Sequence, residues 1–246
     1  MARDEAMQQL HARGLTLPTL RLYAWQPACL SLGRFQRSTA LERQACLAAG
    51  IEIVRRPSGG RALLHDDELT YAVVAHADHS IIGGQSIGAS YRVISLAFVE
   101  ALRYLGVQAS LAPRQRSENG STSSACFDAP TAYELVIAGR KLIGSAQMRR
   151  EHVLLQHGAV PLSEHAQHLA ALLSDTPADL AQRMIALDQA AQRRIDFAEL
   201  AQALIQAFAQ VWQIELAPGT WLPEELELAE QLEHEKYLDD SWTFQR

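Results

Sequence analysis

The pattern of apolar and polar residues divides the chain into a strand-rich first part and a helix-rich second part. Short apolar runs bounded by turn residues predict strands over 51–54, over 62–75 with an acidic turn inside, and over 152–162. A helical period predicts a helix over 89–105. Hairpin turns rather than crossover helices join most of the predicted strands, which favours antiparallel pairing.

The second part of the chain carries signals for helix starts. Asp196 and Glu199 form a capping pair ahead of an apolar stripe that extends to about Trp212, and Pro223 begins a shorter helix. We therefore predict an α+β fold, in which a mixed, mostly antiparallel β-sheet is flanked by helices. No linker, repeat or low-complexity segment interrupts the sequence, so we expect residues 1–246 to form a single domain.

A tight hairpin is predicted around Ala138-Gly139, where a turn signal separates two apolar runs. Lys141 follows the turn, and Cys126 lies in the polar loop ahead of the hairpin. A thiol close to an ammonium group is shifted toward the thiolate, which is the nucleophilic form. The residues alone support two interpretations: an activated nucleophile, or a loop cysteine of no consequence beside a solvated lysine.

A glycine-rich loop follows the strand predicted over 51–54. It contains two adjacent glycines, a serine and three arginines, in the order Arg55-Arg56-Pro57-Ser58-Gly59-Gly60-Arg61. Such a loop can approach a phosphate, a carboxylate or an oxyanion closely. Its spacing is neither that of a P-loop nor that of a dinucleotide fingerprint. His65, beside Asp66, is interpreted as a hydrogen-bonded structural histidine rather than as half of an acid/base pair.

Composition restricts the class of protein. The 246 residues are 48% hydrophobic and 20% charged, which is typical of a soluble globular protein, and no apolar run is long enough for a membrane span. Acidic residues near the N-terminus argue against a signal peptide. The three cysteines are spaced too irregularly for a disulfide framework or a zinc site, so we predict a cytoplasmic protein without a metal. Cys29 and Cys46 lie in apolar segments and are expected to be buried.

Charge is distributed unevenly along the chain. Residues 1–150 hold 17 Lys and Arg against 12 Asp and Glu, whereas residues 151–246 hold 5 against 16. The two parts therefore carry +5 and −11, which sum to the net charge of −6. The basic excess indicates either a solvated face or a docking region for an acidic partner. Nucleic acid is a poor candidate, because no basic stripe is interleaved with aromatic residues.

Four stretches of the sequence resemble the biotin/lipoate protein ligase superfamily. They run from Arg55 to Tyr71, from Ala125 to Leu135, from Gly139 to Gln147 and from Leu155 to Gly158. Within the superfamily, they are most similar to the octanoyltransferase branch that uses a cysteine. The resemblance covers roughly residues 4–242 and implies a biotin/lipoyl ligase-like fold.

The resemblance also implies an activity. It implies transfer of an octanoyl group from acyl carrier protein to a lysine of a lipoyl domain, such as the glycine cleavage H protein, without a cofactor. Cys126 is implied as the nucleophile that carries the acyl group as a thioester, and Lys141 as the residue that lowers the pKa of its thiol. The residues implied to bind the substrate are Arg56, Ser58, Gly59, Gly60, Arg61, His65, Tyr71, Gly144, Ser145, Ala146 and Gln147.

An ATP-dependent lipoate-protein ligase is the main alternative, because such ligases share the Arg-Arg and Gly-Gly signals. Two features favour the transferase: Arg61 stands where ligases often have a third glycine, and Cys126 has no role in adenylation. Transfer between two lipoyl domains and a non-catalytic acyl-binding module are further alternatives. A pure binding module has no need of Cys126 together with Lys141.

The basic excess of the first part gains a candidate cause from this resemblance. Acyl carrier proteins are acidic, and exposed arginines steer acidic partners through long-range attraction. The arginines that we consider for this steering are Arg55, Arg56, Arg149 and Arg150.

Overall fold

The computed structural model of the chain describes residues 1–82, 86–112 and 133–245. Its strands are β1 (Thr19–Tyr23), β2 (Cys29–Leu32), β3 (Glu52–Arg55), β4 (Leu63–His65), β5 (Glu68–His76), β6 (Ser110–Leu111), β7 (Leu135–Ile137), β8 (Arg140–Lys141), β9 (Gly144–Arg150) and β10 (Val153–Pro161). Its α-helices are α1 (Ala2–Ala12), α2 (Arg43–Ala48), α3 (Ile87–Tyr104), α4 (Ala166–Ala171), α5 (Leu180–Arg183), α6 (Leu187–Ala191), α7 (Phe197–Trp212), α8 (Pro223–Leu232) and α9 (Asp240–Thr243). A 3-10 turn occupies Ser80–Ile82, and a π-helical turn occupies Glu233–Tyr237. The predicted α+β class is confirmed.

The largest sheet is antiparallel throughout and has the strand order β1-β5-β10-β9. Its central strands are buried on both faces, which is why they are apolar almost without alternation. Ala72 and Val74 of β5 pack with Met7 of α1 on one face. Val73 joins the opposite cluster, where the Phe98 ring of α3 meets the Phe208 ring of α7 edge to face, with 5.6 Å between ring centroids. The sheet is thus held between α1 and the α3–α7 pair.

Two smaller sheets flank the large one. In the order β3-β2-β4, β2 is parallel to β3 and antiparallel to β4, and this sheet packs with α2 and α4 through apolar residues that include Leu30, Leu64 and Leu169. The third sheet has the antiparallel order β6-β7-β8. Together the sheets bring the glycine-rich loop after β3 next to the strands β9 and β10.

The predicted hairpin is confirmed, with one difference. Ala138 and Gly139 both have positive φ, at 49° and 79°, as a tight turn between two antiparallel strands requires. The second apolar run, however, does not continue as one strand to Gln147. It forms β8 with Lys141 at its end, passes through two buried residues and then enters another sheet as β9. Residues 140–150 therefore connect the third sheet, which contains β8, directly to the largest sheet, which contains β9.

The predicted cap of α7 and the predicted burial of two cysteines are also confirmed. Asp196 caps α7 by accepting a hydrogen bond from the Glu199 backbone N–H at 2.8 Å. Cys29 and Cys46 are buried free thiols, with 3% and 1% exposure. Burial raises the pKa of Cys29 to about 12. Among the helices of the described residues, none has the length and apolar character of a membrane span.

Candidate functional site

A small cavity lies between the glycine-rich loop and the ends of β9 and β10. Arg56, His65, His157 and the segment 144–146 contribute to its walls, and its free volume is about 20 Å³. These residues come from separate parts of the sequence, and the sheets bring them together. Five of the predicted substrate-binding residues therefore line one cavity: Arg56, His65, Gly144, Ser145 and Ala146.

Arg56 braces the glycine-rich loop from within. Its guanidinium donates to the Gly59 carbonyl at 3.0 and 3.2 Å, to the Arg61 carbonyl at 2.6 Å and to the Ser31 carbonyl at 3.0 Å. The side chain is buried, so its charge is satisfied by these carbonyl dipoles. Arg56 therefore sets the shape of the loop that contains Ser58, Gly59 and Gly60.

Close backbone packing explains two glycines at this loop. Gly60 has φ +93°, and a Cβ there would lie 2.8 Å from the Arg56 guanidinium. A Cβ on Gly33 would lie 1.9 Å from the Gly60 carbonyl oxygen, which leaves no space for any side chain. The loop and the segment after β2 are thus in direct backbone contact.

Ser58 ends a buried chain of hydrogen bonds that begins at Asp4 of α1. The Ser58 hydroxyl lies 2.5 Å from Nε2 of His157, and Nδ1 of the same ring lies 3.4 Å from Asp4 Oδ2. Arg21 and Tyr23 also donate to the Asp4 carboxylate, at 2.5 and 2.7 Å. Because a carboxylate only accepts, Nδ1 of His157 carries the proton and Ser58 donates to Nε2.

Electrostatics agree with this assignment. Burial lowers the pKa of His157 below its ordinary value, against the opposing effect of Asp4, so the ring is neutral. Burial acts to raise the pKa of Asp4, but the hydrogen bond from His157 and the charges of the N-terminal amino group and of Arg21 prevail and hold that pKa below its ordinary value. An ionised Asp4 and a neutral His157 therefore fix which group donates and which accepts in each of these hydrogen bonds.

His65 lies in a second chain of the same type. Its Nδ1 is 2.6 Å from Glu68 Oε1, and its Nε2 is 2.8 Å from the Ser31 hydroxyl. The ring stacks on Trp25, with 4.4 Å between centroids. The interpretation as a hydrogen-bonded histidine is confirmed, although its carboxylate partner is Glu68 and not the neighbouring Asp66.

Tyr71 and Gln147 belong to a polar network on the central sheet. The Tyr71 hydroxyl donates to Ser145 Oγ at 2.8 Å and accepts from Gln156 at 3.0 Å. Gln147 in turn donates to Gln156 at 2.9 Å and contacts Ser90 of α3. Burial raises the pKa of Tyr71 to about 12, so the hydroxyl keeps its proton and remains a donor.

Lys141 is buried at the end of β8, and its Nζ donates to Glu134 Oε1 at 2.7 Å. The side chains are only 2% and 3% exposed, so each supplies the counter-charge that the other needs away from water. The alternative interpretation, in which Lys141 is solvated, is therefore wrong. Cys126 lies outside the residues that the structure describes.

The expected role of the adjacent arginines in steering a partner is wrong for Arg55 and Arg56. Arg55 is fully buried and donates to the carbonyls of Gly33, Gln36 and Thr243 at 2.6, 2.7 and 2.9 Å. Arginines buried in this way hold loops together and contribute little to the field outside the protein. Of the other candidates, Arg150 has a side chain that is 51% exposed.

Sequence reasoning did not single out Asp4, His157, Ser31, Glu68 or Glu134 as site residues. His157 gives one usable signal, because a Gln-His-Gly segment interrupts an otherwise apolar strand that is buried along its length. Asp4 gives none, because an acidic residue in the first turn of a helix is common for reasons of capping alone.

Comparison with known proteins agrees with this architecture. Residues 1–209 match the family model of the lipoyl protein ligase A/B catalytic domain. Octanoyltransferases LipM of Kyrpidia tusciae and Bacillus subtilis are 43% and 36% identical to the chain; the alignments cover 100% of it and 94% and 93% of those relatives. The protein of the same name from Brevibacillus brevis is 40% identical, over 100% of the chain and 94% of the relative.

Solved structures give the same fold at lower identity. A lipoate-protein ligase A bound with ATP has a TM-score of 0.84 at 24% identity, with 99% of this chain and 92% of that one covered. The bipartite lipoate protein ligase of Thermoplasma acidophilum has a TM-score of 0.78 at 24% identity, with 99% and 89% covered. The family match over residues 1–209 and the relatives that align with the whole chain lead to one conclusion: the chain belongs to the lipoyl protein ligase A/B catalytic domain family.

Proposed function

We propose that the chain transfers an octanoyl group from acyl carrier protein to a lysine of a lipoyl domain, with Cys126 carrying the group as a thioester. The observation that carries the proposal is the shared name of its relatives, octanoyltransferase, at 36–43% identity over the whole chain. The chain is accordingly an acyltransferase of lipoate synthesis. Donor, acceptor and residue roles are the proposed part.

The proposed reaction has two steps, acylation of Cys126 and transfer of the acyl group to the acceptor lysine. The Cys126 thiolate attacks the carbonyl carbon of the donor thioester, and the bond between that carbon and the carrier sulfur breaks as the carrier thiolate leaves. The amine of the acceptor lysine then attacks the same carbon. The bond to Cys126 breaks, an amide forms, and the proton lost by the amine restores the carrier thiolate or Cys126 to the thiol form.

Lys141 supports the first step through its charge. The buried contact with Glu134 at 2.7 Å fixes the ammonium in one position rather than leaving it to move in solvent. A positive charge near a sulfur favours the thiolate, and the effect is larger where water is excluded. We assign to Lys141 the stabilisation of the Cys126 thiolate, and to Glu134 the positioning of Lys141.

In this proposal the cavity residues bind the carbonyl end of the acyl group, because a free volume of about 20 Å³ is too small for the whole octanoyl chain. Arg56 lines the cavity and braces the loop that contains Ser58, Gly59, Gly60 and Arg61, and His65 lines it together with Gly144, Ser145 and Ala146. Tyr71 and Gln147 lie behind this lining, where Tyr71 donates to Ser145 and Gln147 donates to Gln156. Gly158 allows the backbone of β9 and the Tyr71 ring to pack closely against β10. A Cβ at this position would lie 2.5 Å from the Gly144 carbonyl oxygen and 2.8 Å from the Tyr71 ring.

The acceptor in the proposal is a lipoyl domain such as the glycine cleavage H protein, and the reaction takes place in the cytoplasm. Arg150 is the exposed cation that we retain as a contact for the acidic carrier protein, together with the partly buried Arg149. Charge reversal at Arg150 should then raise the KM for the carrier protein, most strongly at low salt.

The test is a transfer assay without ATP. The chain is mixed with octanoyl acyl carrier protein and either H protein or a dehydrogenase lipoyl domain, and acceptor mass is followed with time. The proposal expects octanoylated acceptor with the native chain and none with Cys126→Ala. Acceptor modification that appears only with free octanoate and ATP would identify a ligase and overturn the proposal. Octanoylation by Cys126→Ala at the native rate would remove the cysteine mechanism.

A further inference from the structure

In two pairs of neighbouring residues, one residue faces the candidate site and the other contacts the C-terminal residues 236–243. In α1, Asp4 points toward His157 and Ser58, whereas the next residue, Glu5, accepts hydrogen bonds from Lys236 at 2.7 Å and from Tyr237 at 2.5 Å. Glu5 and Tyr237 are buried. One turn of α1 is thus linked to the glycine-rich loop through Asp4 and the intervening His157, and it contacts residues 236–237 through Glu5.

The second pair is Arg55 and Arg56. Arg56 holds the carbonyls of Gly59 and Arg61 within the loop, whereas Arg55 donates to the carbonyls of Trp242 and Thr243 at 3.2 and 2.9 Å. The Trp242 indole N–H returns a hydrogen bond to the Arg55 carbonyl at 2.8 Å. The last helical turn of the chain is therefore fixed to the same backbone that leads into the loop.

These contacts at the chain end form one unit. Nζ of Lys236 lies 4.2 Å from the centroid of the Trp242 ring, and the Tyr237 and Trp242 rings meet edge to face at 6.5 Å. The residues belong to the π-helical turn Glu233–Tyr237 and to α9, which follow the residues matched by the family model. We call residues 233–243 the C-terminal clasp.

We propose that the C-terminal clasp positions the loop of Ser58, Gly59 and Gly60 for the acyl-transfer reaction. It acts at two points. It contacts Glu5, which lies in the same turn of α1 as Asp4, and it contacts Arg55, which directly precedes Arg56. Lys236, Tyr237 and Trp242 are positioning residues, because none of them lines the cavity. The effect on activity rests on the proposed function, whereas the effect on loop order does not.

The charges make this coupling strong. Burial acts to raise the pKa of Glu5, but the hydrogen bonds from Lys236 and Tyr237 prevail and hold that pKa below its ordinary value. Glu5 is therefore an ionised carboxylate that is itself buried, with Lys236 at 2.7 Å and Arg150 at 3.7 Å. Removal of the Tyr237 donor leaves one of its oxygen atoms with less compensation. The carboxylate then rearranges, and the turn of α1 that carries Asp4 moves with it.

Hydrogen exchange tests the structural half of the proposal without any substrate. Tyr237→Phe removes one buried hydroxyl, and Tyr104→Phe is the matched control, because it removes a hydroxyl that donates to Gln210 on the far α3–α7 surface. We expect faster exchange in peptides that cover 56–61 with Tyr237→Phe and native exchange there with Tyr104→Phe. Equal exchange over 56–61 in both variants would overturn the proposal.

A double-mutant cycle tests the functional half. The rate of octanoyl transfer at saturating donor is compared for Tyr237→Phe in the native chain and in Ser58→Ala. If the clasp acts through the loop, the substitution slows transfer about fivefold in the native chain and less than about twofold when Ser58 is already absent. An equal slowing in both backgrounds would overturn the coupling. Absence of any transfer by the native chain would instead reject the proposed function. Hydrogen exchange would then still show whether the C-terminal clasp positions the loop.

Glu235→Gln is the control for charge in this segment. Glu235 precedes Lys236, is exposed, and accepts from Gln231 on the outer surface. The substitution Glu235→Gln should leave hydrogen exchange over residues 56–61 and the transfer rate at their native values. An effect of Glu235→Gln equal to that of Tyr237→Phe would show that the clasp responds to surface charge rather than to the buried contact, and would overturn the proposal.

Discussion

The ammonium of Lys141 lies 2.7 Å from the carboxylate of Glu134, and both side chains are almost completely buried. Lys141 pairs with Val136 across the hairpin of β7 and β8, and Glu134 lies two residues before Val136, so the two charged side chains are diagonal neighbours. A cation held in this way has a defined position, and a defined position is what a residue needs in order to stabilise a neighbouring thiolate.

Glu134→Gln should destabilise the protein strongly. The substitution removes the counter-charge that Glu134 supplies to a buried ammonium, which costs about 3–5 kcal/mol of unfolding free energy. Glu100→Gln is the control, because the Glu100–Arg103 pair lies at the surface and should change stability little. Urea unfolding of both variants measures the difference, and equal midpoints would show that the Lys141 charge is compensated elsewhere.

Lys141→Met should shift the alkylation profile of Cys126 to higher pH. Without the ammonium the pKa of the thiol rises, so iodoacetamide labelling near neutral pH slows. The measurement is selective, because burial raises the pKa of both Cys29 and Cys46 and shields their thiols. Labelling of Cys126 with the same pH profile in both proteins would assign Lys141 another role.

The elements of the fold follow from local signals that the sequence contains. The capping pair Asp196 and Glu199 predicts the start of α7, and Ala138-Gly139 predicts the hairpin turn, because both depend on residues close together in the chain. The division of β8 from β9 could not be predicted, since the apolar residues between them suit a strand as well as a crossing between sheets.

The site was harder to predict, because its contacts join distant residues. The resemblance picked out Ser58 and Gly144–Gln147, but the contact between Asp4 and His157 joins residues 153 positions apart, and Asp4 has no local signal of its own. Arg55 and Arg56 show the same limit. Three arginines around two glycines suggested an exposed cationic loop, whereas both guanidinium groups turn inward to backbone carbonyls. Side-chain direction at neighbouring positions depends on tertiary packing, which composition does not contain.

The stability of the protein should fall as pH drops below about 6.5, in part because of His157. Burial lowers the pKa of His157 from its ordinary value of 6.5, so the unfolded chain binds a proton that the folded chain does not. This contribution is present above pH 6.5 and is lost as the pH falls. His157→Gln should flatten the stability curve between pH 7 and 5, even if its baseline is lower. Parallel curves for the two proteins would show that His157 does not titrate with unfolding.

The depressed pKa of Asp4 acts at lower pH. Its contribution is present above its ordinary value of 3.8 and is lost as the pH falls toward the folded-state pKa, so it leaves the slope between pH 7 and 5 unchanged. His11 and the N-terminal amino group of Met1, whose pKa values burial also lowers, are present in both proteins and contribute to both curves. The difference between the native and His157→Gln curves therefore isolates His157.

Gly158→Ala should destabilise the protein and distort the cavity. The added Cβ would lie 2.5 Å from the Gly144 carbonyl oxygen and 2.8 Å from the Tyr71 ring, so the backbone of β9 must shift, at a cost of roughly 1–3 kcal/mol. Gly219→Ala is the matched control, since a Cβ at Gly219 meets no atom within 4 Å. Thermal unfolding compares them, and an equal change for both variants would contradict the close packing of β9 and β10.

The acyl-enzyme is the most direct test of the central claim. The chain is incubated with octanoyl acyl carrier protein without ATP and without acceptor, and its intact mass is measured before and after hydroxylamine. The claim predicts the mass increase of one octanoyl group, lost with hydroxylamine, in the native chain and no increase in Cys126→Ala. No adduct on the native chain, or the same adduct on Cys126→Ala, would contradict it.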